Sequence, residues 1–177
     1  MKNSVRWAFK ALILSVSLSI VFGMFSQSLF PTMPAFLSVL IIFFFIIVSV
    51  LFDMIGVAFT TMSKSDLNGF SEPDSPLFET LSRLFENKDK ISSFCGDIVG
   101  DICGILSGAG GVSLVYNMNF LDMNVNFIAT CITSSVIAGL TIFGKAIMKG
   151  YAVQNCKKVA YLTAKIIYSF QIKKKKL

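Results

Sequence analysis

Four apolar runs constrain this chain more than any other feature: Ala11–Phe30, Ala35–Met62, Ile91–Val115 and Met123–Gly144. The first and last carry no charge, the second only Asp53, and the third only Asp97 and Asp101. Each reaches the ~20 residues a helix needs to cross a hydrocarbon core. Backbone polar groups in lipid must be satisfied internally, which such runs achieve as helices. Composition agrees, since charged residues make up 15% of the chain and mean hydropathy is +0.72. A soluble domain carries roughly a quarter charged residues. The fold class expected is therefore all-α, a polytopic membrane protein with four transmembrane helices and short juxtamembrane amphipathic helices. With so much of 177 residues in spans, no sizeable soluble domain is expected.

Lysine and arginine predict the orientation. All 16 fall where a four-span chain has one side of the membrane. Lys2, Arg6 and Lys10 precede span one; Lys64, Arg83, Lys88 and Lys90 lie between spans two and three. Lys145, Lys149, Lys157, Lys158, Lys165 and Lys173–Lys176 come at or after the end of span four. The loops around Phe30–Pro34 and Tyr116–Asn124 have none. The positive-inside rule then puts both termini and the 63–90 loop in the cytoplasm of a multi-pass plasma-membrane protein. The acids of that loop, Asp66, Glu72, Asp74, Glu79, Glu86 and Asp89, weigh little in this rule. A rival reading treats residues 1–28 as a cleaved signal peptide, with Ser26-Gln27-Ser28 as its small-x-small site, which would leave three spans.

Two segments outside the spans have helical apolar spacing. Ser75-Pro76 opens Leu77–Glu86, with Leu77, Phe78, Leu81, Leu84 and Phe85 on one stripe, a pattern suited to the membrane surface. Asn155–Ile172 places Val159, Leu162, Ile166 and Phe170 in register and ends in four lysines. That basic tail, residues 166–177, is read as a topology anchor or a site for anionic lipid. The basic balance, +6 in formal charge, is thus assigned to lipid and not to nucleic acid.

The third run carries the chemistry. Gly96, Gly100, Gly104 and Gly108 recur at every fourth residue, giving a smooth face on which another helix, or a second copy, can pack closely. Asp97 and Asp101 sit one turn apart beside them. Ionisable residues within a span usually face a bundle interior or wet cavity, and are functional candidates for that reason. Ser107-Gly108-Ala109-Gly110-Gly111 leaves two readings open, a broken or re-entrant helix and a tightly packed one. The chain has no histidine, and Cys95, Cys103, Cys131 and Cys156 lack metal-ligand spacing, so zinc motifs and histidine-based catalysis drop out. An intramembrane aspartyl protease would need two carboxylates sharing a proton on facing helices. Its G-x-G-D signature is missing, because Gly96-Asp97 follows Phe94-Cys95. An enzyme is not expected, and no covalent cofactor is implied.

Three stretches, in order, resemble the transmembrane domain of the CNNM/CorC family. FDMIGVAFTTMSKSDL, Phe52–Leu67, is similar to the family's S-x-S-E-T-A-L-T-S-L-S-R-S-R-L. Within Asn87–Asp101, G-D-I-V-G-D stands in the place of G-N-x-x-V-N, allowing a two-residue gap before it. IFGKAIMKGYAVQNCKKVA, Ile142–Ala160, resembles I-F-G-E-x-L-P-K-x-x-A-x-x-N-P-E-x-V-A. The resemblance extends over residues 36–165 and marks 35–165 as a CNNM-like membrane domain, with 1–34 as an added first span and loop. It implies a CorB-like protein of magnesium transport, lacking the nucleotide-binding CBS pair. The departures are specific. Lys145 stands where the family has glutamate, Met148 where it has proline, Gly56 where the span-two pattern has its acid, and Asp53 where it has its first serine. Both asparagines of the second motif are Asp97 and Asp101.

If Asp53, Asp97, Asp101 and Lys145 face one cavity, three carboxylates and one ammonium leave a formal charge that suits one divalent cation. Magnesium prefers oxygen ligands and gives up its water reluctantly. Ser93 and Ser134 are candidate hydroxyl ligands, and Ser107, Thr133 and Ser135 could also supply hydroxyls. Lys145 would be charge-compensating; alternatively it lies at the membrane edge and snorkels to the headgroups. The rival class is a degenerate, non-transporting relative that acts as a membrane interaction or regulatory protein. A homodimer is expected from the glycine face and the resemblance.

Overall fold

A computed structural model describes residues 2–70, 75–118 and 123–175. Every regular element among them is helical: α1 (Lys2–Leu29), α2 (Ala35–Thr61), α3 (Lys64–Asn68), α4 (Pro76–Glu86), α5 (Lys88–Ser92), α6 (Asp101–Asn117), α7 (Met123–Gln154) and α8 (Cys156–Lys175). A π-helical segment, Ser93–Gly100, joins α5 to α6 in one rod running from Lys88 to Asn117. Four helices are long and apolar enough to cross a membrane: Phe9–Thr32, Ala35–Thr61, Lys88–Asn117 and Met123–Gln154. Glu72 and Asp74 of the charged loop, Leu121 and Asp122 before α7, and Lys176 of the tail lie outside the described residues.

Contacts along the helices give their directions. Asp53, Ser49 and Ile42 of α2 meet Gly96, Gly100 and Gly110 in turn, so α2 runs antiparallel to the rod. Gly100 meets Lys145 and Gly111 meets Ile137, so α7 is antiparallel to the rod and parallel to α2. Asn117 Nδ2 donates to Phe30 O at 2.8 Å, tying the far end of α6 to the α1–α2 turn. The rod and α2 form the middle of the bundle, with α7 alongside; α1 leans on α6 and is buried least. One buried cluster, Phe30, Ile42, Ile46, Val50 and Ile137, fills the space between α2, α7 and the α1–α2 turn.

The other end carries the basic residues. Phe59 from α2, Met62 just past its end, Leu81 and Phe85 from α4, and Ala160 and Ala164 from α8 form a buried cluster there. The caps explain why short helices hold. Ser63 Oγ accepts from Asp66 N at 3.3 Å while Ser63 N donates to Asp66 Oδ2 at 3.0 Å, a capping box opening α3. Ser75 Oγ accepts from Phe78 N at 3.2 Å ahead of Pro76, which is well placed where the helix needs no N–H. Lys157 Nζ pairs with Asp66 Oδ1 at 3.1 Å and so binds α8 to α3.

Of the two readings open for Ser107–Gly111, the continuous, packed helix holds, and the irregular backbone comes earlier, at Ser93–Gly100. Span four outlasts its uncharged run, because α7 continues past Lys145 and Lys149 to Gln154. Lys145 therefore lies inside the helix, about 14 Å from its end at 1.5 Å per residue. The glycine series does not form one packed face: nothing approaches Gly104 or Gly108, while Gly110 and Gly111 are the close contacts. On α8 the buried side is Val159, Ala160 and Ala164, and the apolar stripe Leu162, Ile166 and Phe170 points outward.

Candidate functional site

A polar layer crosses the bundle about one-third of the way in from its basic end. Asp53 lies about 12 Å from the Thr61 end of α2, Gly96 about 12 Å from Lys88, and Lys145 about 14 Å from Gln154, by helical rise. Ser49 and Asp53 are four residues apart on α2 and so share a face, which is turned to the π-helical segment. Ser49 Oγ donates to Gly100 O at 2.8 Å, a buried bond between two spans. A π-turn displaces the regular helical bonding pattern, and such segments cluster at functional sites. Here the carbonyl at its end receives a side-chain donor from the neighbouring helix.

The two glycines of this segment carry no side chain where charged groups lie. A Cβ at Gly96 would sit 3.6 Å from Asp53 Oδ1. A Cβ at Gly100 would sit 3.5 Å from Lys145 Nζ and 3.3 Å from Cys95 O. One turn lower, Gly56 faces Ser92 closely: its Cβ would be 3.2 Å from Ser92 O and 3.3 Å from Ser92 Cα. Because this neighbour is backbone, a side chain at position 56 would push α2 and the rod apart by a few tenths of an ångström. A carboxylate and an ammonium thus flank adjacent turns of one bare helix face. They form no direct ion pair; the ion pairs among the described residues are Arg83–Glu79 and Lys157–Asp66, both outside the spans.

The structure gathers some of the expected site residues and separates others. Asp53 and Lys145 reach the Gly96–Gly100 face, both half-buried. Asp97 and Asp101 follow those glycines directly, so they project from an adjacent face, where both are exposed. Ser93, half-buried, opens the π-segment. Ser134 stands on α7 about 16 Å along the axis from Lys145, too far to share a ligand with it. Ser107 donates to Gly104 O at 2.9 Å within its own helix, and Thr133 packs near Gly111. Among the described residues no three acidic, cysteine or histidine side chains gather as a metal cluster. All four cysteines are free thiols. The Lys145 ammonium points at the rod.

Sequence reasoning passed over Ser49, Ser92 and the Gly100 carbonyl. Ser49 had a signal: a serine four residues before the one acid in an otherwise apolar span shares that acid's face. The carbonyl had none, since a sequence does not show which backbone oxygen a neighbouring helix reaches.

No protein-family model, no curated protein and no solved structure matches the chain. The CNNM/CorC reading rests on the three quoted stretches.

Proposed function

We propose that this chain is a plasma-membrane protein with both termini cytoplasmic, which binds a divalent cation, magnesium by its ligand chemistry, at the polar layer between α2 and the π-helical segment. The observation that carries the reading is the pairing of Asp53 Oδ1 with Gly96 and Lys145 Nζ with Gly100 on one bare helix face. Intramembrane carboxylates are costly, about 2.5–3.5 kcal/mol at mid-helix on insertion scales, and are kept where they have work to do. The two absent side chains let the Asp53 carboxylate and the Lys145 ammonium lie close against the rod. Asp53 would supply a charged oxygen, and Asp97, Asp101 and Ser93 would supply oxygens through water from the adjacent face. Lys145 offsets the negative charge while the ion is away, and must be displaced or neutralised for it to bind.

Calorimetric titration of the purified protein with MgCl2 tests this. Lys145→Glu is expected to tighten binding and Asp53→Asn to abolish it. Equal heats for both variants and the unaltered chain would reject the site.

A second reading, a non-transporting interaction protein, is favoured by one observation: Asp97 and Asp101 are exposed on a rod whose Gly104 and Gly108 face open space. A second copy covering that face would make a homodimer. Magnesium flux into proteoliposomes separates the readings: flux lost on Asp53→Asn supports transport, and binding without flux supports the interaction protein.

A further inference from the structure

Between α4 and α8, at the basic end, lies a groove that the polar layer does not use. Its volume is about 450 Å³, within the ~300–1,000 Å³ of ordinary ligand sites. Leu77, Phe78 and Leu81 of α4 line one side; Lys157, Lys158 and Tyr161 of α8 line the other. The walls are well held. Leu81 is 1% exposed in the cluster beneath, and Tyr161 stacks on Phe70 with ring centroids 5.8 Å apart and planes at 13°. We propose that this groove binds one anionic phospholipid, its phosphate between Lys157 and Lys158 and its first acyl carbons along Leu77 and Phe78.

Charge and position select this occupant. Lys157 is partly compensated by Asp66, and Lys158 joins no ion pair among the described residues. The one acid of α4 close in sequence to the groove-lining residues, Glu79, is taken by Arg83 at 2.7 Å. A soluble phosphate would use the lysines and leave the apolar wall wet; an amphiphile uses both. The groove also lies beside the ends of the spans, since Leu81 packs on Phe59 and Met62, at the end of α2. The outward face of α8 presents Leu162 at 57%, Ile166 at 58% and Phe170 at 70% exposure. A helix with that face and flanking lysines lies in the headgroup boundary, which puts the mouth of the groove level with lipid. The site is distinct from the Lys173–Lys176 tail, whose attraction for an acidic leaflet is diffuse.

Native mass spectrometry of the full chain, released from detergent containing equal dioleoyl phosphatidylglycerol and dioleoyl phosphatidylcholine, tests the proposal. One phosphatidylglycerol should be retained in preference to phosphatidylcholine. Lys158→Gln and Lys157→Gln should each lower that preference about fivefold, the effect of one lysine near an acidic surface. Lys158→Arg should keep it, which guards against a folding defect, and Lys165→Gln, further along α8, should leave it unchanged. Leu77→Asn should weaken retention of both lipids, and 10 mM inorganic phosphate should not displace the bound lipid. An equal loss with Lys165→Gln, no loss with either groove lysine, or displacement by inorganic phosphate would overturn it.

Discussion

Replacing Gly110 by alanine sets two opposed effects against each other, and the structure predicts which prevails. The new Cβ would lie 2.6 Å from Phe30 Cζ, 2.9 Å from Phe30 Cε1 and 2.9 Å from Ile42 Cγ1. Carbon atoms pack at about 3.5–4.0 Å, so the ring must retreat by roughly 1 Å and Ile42 by somewhat less. Both are buried, Phe30 at 3% and Ile42 at 5% exposure in one cluster, although an apolar cavity of about 160 Å³ beside Phe30 gives its ring some space to retreat. The Phe30 backbone is held as well, by the bond from Asn117 to its carbonyl. Overpacking of this kind costs about 1–3 kcal/mol. Against it stands the helix preference for alanine over glycine, about 0.5–1 kcal/mol. Gly104→Ala provides the control, because nothing lies within 4 Å of its Cβ position. It keeps the preference and omits the clash, so the difference between the two variants, about 1–3 kcal/mol, isolates the packing effect. SDS titration in mixed micelles, with the folded fraction read by pulse proteolysis, measures both. Gly110→Ala should lie below the unaltered chain or near it, and Gly104→Ala above it. If Gly110→Ala is as stable as Gly104→Ala, the close packing of the rod on α2 is wrong. If the advantage of Gly104→Ala over the unaltered chain shrinks as protein concentration rises, that face is buried against a second copy.

Two more outcomes follow from the same contacts. Ser49→Ala removes the donor to Gly100 O; interhelical bonds of this type average about 0.6 kcal/mol and reach about 1.7, so a loss in that range is expected in the same titration, and none at all would deny the bond its role. At the basic end, Asp66 accepts from Ser63 and pairs with Lys157, which lowers its pKa from 3.8 to about 2. A lowered carboxylate pKa means the α3 cap and its tie to α8 contribute fully above pH 3.8 and fade as pH falls through about 2. A ¹³C-carboxyl NMR titration should find that midpoint for Asp66, and a midpoint near the ordinary value would contradict the pairing.

Length and apolarity alone specified four helices able to cross a membrane, because lipid leaves the backbone no other way to satisfy its own hydrogen bonds over twenty residues. The cap at Ser75-Pro76 was equally legible, since capping needs only the residues on either side of the helix start. What the pattern left undecided was which face of each span meets which neighbour. A helix that is apolar on every side has no moment to point it inward, so the choice passes to shape. Gly110 and Gly111 became the packed glycines and Gly104 and Gly108 the open ones because Phe30, Ile42 and Ile137 have their bulk opposite the former. On α8 the same selection buried Ala160 and Ala164 and turned Leu162, Ile166 and Phe170 outward. In the regular helix beyond Gly100 each step of four overshoots a full turn by about 40°, so counting fours to Gly104 and Gly108 drifts off the packed face. Asp53 and Lys145 could be named from sequence as charges out of place, but their shared face exists only through the antiparallel packing of α2 and α7 on the rod.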